Sequence, residues 1–195
     1  GAPTDDIPTL NAGTNRTYTT SIKTGYRILS GFARVNYDYN YRYMVSVVAR
    51  YDGISKLSDN RWGFFPGISA GWNVHEEAFF KDSKFAEVVS LIKPRISYGL
   101  NGNVNGIGNF DVYGKYGSVG AYNGNLGYLN TGVVNSKLRW EKSHTFELGL
   151  DLGFFNNRVH MIMDYYNRTT SDLLTDVNLP EYTGFPSFKT NLGTI

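Results

Sequence analysis

Three carboxylates in the second half of the chain are the residues whose type could support hydrolysis. Glu147 and Asp151 lie four residues apart in one alternating segment, and Asp164 lies in the next. In an extended strand, a separation of four residues places the Cα atoms roughly 13 Å apart. Glycosidases hold their two carboxyl groups roughly 5–9.5 Å apart. Solvated carboxylates on the polar face of a sheet are therefore favoured over a hydrolytic pair.

Two shorter motifs have weaker claims on chemistry. His75-Glu76-Glu77 contains metal-ligand residue types, but adjacent side chains do not share a face, so a solvated acidic helix start is favoured. The glycine-rich residues 102–108 lack dinucleotide-binding spacing, and a flexible outer loop is favoured. The chain has no cysteine, which excludes disulfides and thiolate chemistry. We predict no metal, no cofactor and no enzymatic activity.

Aromatic and amide side chains in residues 102–137 form the one candidate binding group. Aromatic rings can stack on sugars, and amides can hydrogen-bond sugar hydroxyls. The competing interpretation is that these side chains pack the loop against itself or against a partner. The candidate substrate-binding residues are Tyr113, Tyr116, Tyr122, Asn123, Asn125 and Tyr128.

Alternation with a period of two runs through most of the chain and predicts β-strands that position these groups. Phe146, Leu148 and Leu150 alternate with Glu147 and Gly149, which is the cleanest example. Between residues 76 and 92 the spacing changes, and it predicts one short amphipathic helix. The predicted strands cover residues 32–39, 43–52, 62–74, 93–101 and 138–154, with a sixth from residue 159.

The polar positions of the predicted strands include charges at mid-strand. On the outer face of a soluble sandwich such charges would be solvated, and in the water-filled lumen of a barrel they would be solvated too. We assign them to the lumen. The predicted lumen-facing residues are Arg34, Asn36, Asp38, Arg50, Glu147, Asp151 and Asp164.

Composition narrows the class of protein. Aromatics make up 15% of the 195 residues, and no run approaches the roughly 18 apolar residues of a membrane helix. The slightly polar mean hydropathy does not exclude a barrel, because a barrel strand faces lipid only at every second residue. The net charge of +2 is scattered, so no nucleic-acid partner is expected. The first residues lack the features of a signal peptide, which favours a chain that begins within a longer protein.

Strand length and aromatic placement favour a membrane over a sandwich core. The segment 138–154 exceeds the roughly 5–6 residues of soluble strands. Aromatic residues gather near both ends of the predicted strands, as at the two interfaces of a bilayer. Connections alternate between short and long, as do the periplasmic turns and outer loops of membrane barrels. A soluble carbohydrate-binding β-sandwich remains the alternative, and a β-rich hydrolase is third.

The predicted fold is therefore all-β, an antiparallel transmembrane β-barrel present only in part. Six or seven strands would leave two open edges in lipid, so they must belong to a larger barrel. We expect residues 1–30 to form an extracellular loop segment and residues 31–172 to form the barrel strands. Within the latter, 102–137 is a long outer loop and 76–92 a short periplasmic helix. Residues 173–195 would form an outer loop and the start of the next strand.

Several motifs, in their order and spacing, resemble the barrel of SusC/RagA-type TonB-linked outer-membrane transporters of Bacteroidetes. The resemblance spans about residues 22–195. Its motifs are Arg34-Val35-Asn36-Tyr37-Asp38-Tyr39, Arg50-Tyr51-Asp52-Gly53, Asn60-Arg61-Trp62-Gly63-Phe64-Phe65-Pro66, Ser69-Ala70-Gly71-Trp72, residues 95–103, Leu138-Arg139-Trp140-Glu141 and residues 164–174.

The resemblance implies a 22-stranded barrel with an internal plug, located in the bacterial outer membrane. It implies import of glycans or oligopeptides, energised through TonB, with a SusD-like lipoprotein as partner. The expected contacts of this chain are the remainder of the barrel, the plug and the lipid bilayer. TonB would be reached through regions absent from these residues.

Overall fold

The computed structural model describes residues 23–123 and 125–195, and these contain ten strands. Six of the strands form one antiparallel sheet in the order β1-β2-β3-β4-β7-β8. Two small hairpins, β5–β6 and β9–β10, stand apart from it. The strands are β1 Ile28–Tyr39, β2 Tyr43–Ile54, β3 Trp62–Trp72, β4 Val89–Asn103, β5 Tyr116–Tyr122, β6 Asn125–Asn130, β7 Glu141–Phe154, β8 Val159–Ser171, β9 Leu174–Asn178 and β10 Ser187–Asn191.

The six-stranded sheet is a single layer with one apolar face. The register aligns Val35, Val47, Ile68, Tyr98 and Phe146 in one row across five strands. The first three are 67%, 44% and 52% exposed, and no second sheet of the described residues covers them. This row and its neighbours of the same parity are called the apolar face. An unclosed sheet with a bare apolar face confirms the predicted partial barrel and does not fit a sandwich.

Short turns join strands at one end of the sheet, which is called the short-turn side. Asn40 and Tyr41 have φ of 53° and 56°, and the backbone N–H of Arg42 donates to the Tyr39 carbonyl over 3.0 Å. Two successive left-handed residues suit the twist of a tight hairpin. The β7–β8 turn also uses positive φ, at Phe155, Asn156 and Asn157. Both turns fall where alternation predicted them.

The predicted helix over 76–92 is wrong in extent. The structure has a 3-10 turn at Val74–Glu76, a single-turn helix α1 at Ala78–Lys81 and a 3-10 turn at Lys84–Glu87. Ser83 is extended, with ψ of 151°, which interrupts any continuous helix. From Val89 the chain joins the sheet, because pairing with β7 satisfies its backbone and Val and Ile favour strands. None of the described helices is long and apolar enough to cross a bilayer.

Strand boundaries also differ from the predictions. β4 begins at Val89 instead of Lys93, and β7 begins at Glu141 instead of Leu138. Leu138 and Trp140 are 1% and 7% exposed because they turn into a cluster of buried side chains among the loops. Their apolar character therefore reflects packing on a loop and does not extend the strand.

The opposite end, called the long-loop side, holds the buried core of the described chain. This outer cluster consists of Ile54, Leu57, Phe65, Val104, Ile107, Val112, Leu138 and Trp140, with Leu100 and Leu174 packed against it. Beyond β10 the chain contacts the sheet again. Ile195 exchanges two backbone hydrogen bonds with Thr170, over 2.7 and 2.8 Å. The last residues thus pair with the outer end of β8.

Candidate functional site

All seven residues predicted to face a lumen lie on one face of the sheet, called the polar face. The register joins Asn36, Ser46, Ser69, Ser97 and Glu147 in a single row. By the same parity, Arg34, Asp38, Arg50, Asp151 and Asp164 belong to this face. Alternation therefore predicted their common face, while the assignment of that face to a lumen stays a prediction.

An ion-pair network at the centre of this face is called the Arg95 network. Arg95 Nη2 lies 2.9 Å from Asp151 Oδ1 and 3.0 Å from Asp164 Oδ1, and Nε donates to the same Asp151 oxygen over 3.1 Å. Nη1 lies 4.0 Å from Glu147 Oε1. One guanidinium thus joins β4, β7 and β8 through their side chains. Gly149 gives it room, since a Cβ there would lie 2.8 Å from Arg95 Cζ.

The three carboxylates considered for hydrolysis are the partners of this arginine. Each of the three faces the same guanidinium, at distances between 2.9 and 4.0 Å. A glycosidase requires one protonated acid and one free carboxylate. The arrangement is an ion-pair network across three strands, and it does not supply an acid–base pair.

Small side chains leave the polar face open beside this network. Gly67 pairs with Gly99 and Ser69 with Ser97, and Gly71 pairs with Arg95. A cavity of about 220 Å³ lies there, lined by residues that include Met44, Ser69, Gly71, Lys93 and Arg95. Above Gly67 the pairing of β3 with β4 ends, and the side chain of Phe65 turns into the outer cluster.

The outer cluster fixes the loops above this opening. Trp140 meets Phe65 edge-on, with ring centroids 5.3 Å apart, and its Nε1 donates to the Arg61 carbonyl over 3.2 Å. Val104 and Ile107 are 8% and 2% exposed, so two side chains of the predicted loop over 102–108 pack into this cluster. The Gly108 N–H donates to Asp111 Oδ2 over 2.7 Å. Residues of several loops therefore share one core.

The whole chain, residues 1–195, matches the family described as TonB dependent receptor-like, beta-barrel. The chain belongs to this family. It is 37% identical to the TonB-dependent receptor SusC of Bacteroides thetaiotaomicron over 185 residues, which is 90% of this chain and 18% of SusC. It is 36% identical to a TonB-dependent receptor of Formosa agariphila over 173 residues, covering 88% of this chain and 16% of that receptor.

Solved structures agree with this assignment. The RagAB peptide transporter superposes with a TM-score of 0.79 at 29% identity, over 100% of this chain and 22% of that one. The same importer in its open-open state gives 0.79 at 30% identity, over 98% of this chain and 21% of that one. The chain spans about a fifth of the length of these relatives. The SusC/RagA resemblance and the outer-membrane location are confirmed.

The candidate sugar-binding residues of this TonB-dependent receptor barrel lie on or beside the β5–β6 hairpin. Tyr113, Tyr116 and Tyr128 are 54%, 75% and 59% exposed. Tyr116 and Tyr128 share a face of the hairpin, diagonally across the strands. Asn123 and Asn125 are exposed near its tip. The side chain of Tyr122 lies outside the described part of the structure.

A larger cavity lies between the outer loop and the β9–β10 hairpin, and Tyr113, Tyr116 and Tyr128 do not line it. Its volume is about 420 Å³, and Asp111, Lys115, Asn135, Asp176 and Lys189 are among its lining residues. Lys115 Nζ and Lys189 Nζ lie 2.6 and 3.6 Å from the Asp111 carboxylate. Burial raises the pKa of Asp111, but the hydrogen bonds from Lys115 and the Gly108 N–H outweigh it and lower the pKa.

The His75-Glu76-Glu77 motif serves packing at the short-turn side. Glu77 accepts hydrogen bonds from Tyr43 Oη at 2.7 Å and Trp72 Nε1 at 3.2 Å. His75 Nδ1 lies 3.3 Å from the Ile92 carbonyl oxygen. In the described chain, no cluster of three or more His, Asp or Glu residues is placed to hold a metal ion.

Sequence reasoning missed Arg95, Trp140 and Asp111 as organising residues. Arg95 carried a usable signal, because it lies on the polar face of a strand that pairs with the one bearing Glu147 and Asp151. Trp140 carried none, since an apolar residue beside an alternating run resembles part of the strand. Asp111 has a local partner in Lys115, but its contact with Lys189, 78 positions away, could not be read from any local pattern.

Proposed function

We propose that this chain forms part of the wall of a TonB-dependent transporter that imports glycans or oligopeptides with a SusD-like lipoprotein partner. The observation that carries the proposal is the sheet itself. Six strands of 11–15 residues present one bare apolar face and one polar face built around the Arg95 network. Strands of about 9–11 residues cross a bilayer. We propose no catalytic role.

In this proposal the short-turn side is periplasmic and the long-loop side is extracellular, as in other membrane barrels. Residues 31–172 then provide barrel strands, 1–30 an outer loop segment, and 173–195 an outer loop with the start of another strand. The polar face lines the lumen, where it contacts the plug. TonB would act through regions outside these residues.

The proposed solute classes rest on the relatives and on the β5–β6 hairpin. RagAB is named a peptide transporter, which supports oligopeptides. Exposed Tyr116 and Tyr128 on one hairpin face offer rings for stacking on sugars, which supports glycans. The aromatic face of the hairpin is also available to a SusD-like partner.

Uptake of labelled oligopeptides and oligosaccharides by cells with and without the full-length transporter tests the proposal. We expect accumulation of one class, lost on deletion of the gene or addition of a protonophore. A Tyr116→Ala, Tyr128→Ala double variant should lower uptake of glycans more than that of peptides if the rings contact sugar. Purification through a tag on the barrel should recover a lipoprotein. Uptake that is unaffected by deletion would contradict the proposal.

A further inference from the structure

The segment 74–88, which joins β3 to β4, is called the interfacial segment. We propose that it is a membrane anchor that lies among the phospholipid headgroups at the short-turn side, with Phe79 and Phe85 inserted toward the acyl chains. The inference uses the outer-membrane location of the sheet and does not depend on which solute is carried.

An aromatic row on the apolar face marks where this segment attaches. Tyr39, Tyr43 and Trp72 stack in sequence, with ring centroids 6.5 and 6.2 Å apart. Tyr43 and Trp72 are paired residues of β2 and β3, in the same parity as Val45, Val47 and Ile68. Tyr and Trp at the end of a lipid-facing strand occupy the headgroup level.

Glu77 connects the segment to this row from the apolar side. Its Oε1 accepts hydrogen bonds from Tyr43 Oη and Trp72 Nε1, and Arg42 Nη1 lies 3.3 Å from Oε2. The residue is only 8% exposed. The hydrogen bonds from Tyr43 and then Trp72 lower the pKa of Glu77, so the carboxylate remains charged at neutral pH. Because Tyr43 and Trp72 lie on the apolar face, these hydrogen bonds place the segment on the apolar side of the sheet and not on the polar side.

Three apolar side chains of the segment are left uncovered. Phe79, Phe85 and Val88 are 64%, 73% and 46% exposed. Lys81, Asp82 and Lys84 between the two phenylalanines are exposed as well. Phenylalanine and lysine are residue types that interfacial segments use, the ring toward the acyl chains and the ammonium toward the headgroups.

The position of the segment in the sheet argues for lipid as the occupant. β3 and β4 are the third and fourth of six strands, so each is two strands from the nearer open edge. With strands about 4.8 Å apart, a further strand at an edge would begin about 10–15 Å away. The apolar face around the segment is the lipid-facing surface. The leaflet is therefore the continuous neighbour of the exposed phenylalanines.

Spin labels on cysteine variants of the full-length transporter in phospholipid bilayers test this inference. Phe79→Cys and Phe85→Cys carry the labels, and their accessibility to oxygen and to a soluble nickel chelate is measured. Val35→Cys provides the reference for lipid and Tyr182→Cys, at a site that is 90% exposed, the reference for water. Asp82→Cys is the matched control within the segment.

We expect the oxygen-to-nickel ratio at residues 79 and 85 to lie nearer to that of Val35 than to that of Tyr182, with Asp82 lower. A ratio equal to that of Tyr182 would place the segment in water and overturn the inference. Exclusion of both reagents would indicate a covering protein and would overturn it too. Glu77→Gln should move the ratio at residue 85 toward the aqueous value while Val35 stays unchanged.

Discussion

The two ends of the sheet are held by different forces. At the short-turn side, order comes from backbone turns with positive φ and from one carboxylate bound to an aromatic row. At the long-loop side, order comes from a cluster of buried apolar side chains drawn from several loops. Loops that rise far from the sheet need their own core, whereas tight turns need only local geometry. Substitutions at the two ends should therefore differ in how much they change stability and in how many residues they affect.

Trp140→Ala should have the largest effect on stability because it leaves a cavity in the outer cluster. Removing a buried aromatic side chain costs about 3–5 kcal/mol of folding free energy. Hydrogen exchange across residues 104–140 should accelerate, while exchange in the short turns stays the same. Trp62→Ala is the control, since Trp62 is 47% exposed and stacks on Tyr51. Equal acceleration by both variants would show that the loops have no separate core.

Arg95→Ala should lower the stability of the sheet at its centre, between the short-turn side and the long-loop side. Hydrogen bonds to charged groups contribute about 1.5–3 kcal/mol, and partial exposure of the Arg95 network places the loss at about 1–2 kcal/mol. The denaturation midpoint of the refolded barrel in detergent measures it. Arg34→Ala is the control because Arg34 has no ion-pair partner among the described residues. If both substitutions lower the midpoint equally, the network does not join the strands.

Glu77→Gln should remove a pH dependence that is confined to the short-turn side. Hydrogen bonds from Tyr43 and Trp72 lower the pKa of Glu77 in the folded state below its ordinary value of 4.5. Its stabilising effect is complete above that ordinary value and is lost as pH falls through the lower folded pKa. The protection of residues 74–88 against exchange, corrected for the intrinsic rate at each pH, should therefore fall on acidification in the parent protein. A variant with the same acid profile would exclude Glu77 as the cause.

Tyr41→Gly should have the smallest effect and the opposite sign. Tyr41 has φ of 56°, which costs an ordinary residue roughly 1–2 kcal/mol, while glycine loses roughly 0.5–1 kcal/mol through its flexibility. A gain of about 0.5–1 kcal/mol in denaturation free energy follows. Asn40→Gly should gain less because asparagine tolerates this conformation better. A loss of stability in Tyr41→Gly would show that the exposed ring contributes more than the strain costs.

The sequence predicted the strands of the sheet well, but it predicted the structure at the two ends of the sheet only in part. Alternation placed six strands and their faces, because each side chain of a strand meets one of only two environments. The short turns could be predicted because few residues separate the alternating segments on either side of them. The outer cluster could not be predicted, since Phe65 and Trp140 meet only when distant loops fold together. The segment over 76–92 was misassigned because its phenylalanines have a helix-like spacing, yet the backbone of Val89–Ile92 pairs with β7.

The glycines and serines of β3 and β4 have a consequence for the shape of the closed structure. When a sheet rolls up, side chains on its concave surface crowd together, and bulk there resists bending. Gly67 pairs with Gly99 and Ser69 with Ser97 on the polar face, which in the proposed function lines the lumen and would be the concave surface. The tightest curvature of the cylinder should therefore fall between these two strands, and the cross-section of the pore would depart from a circle at that point.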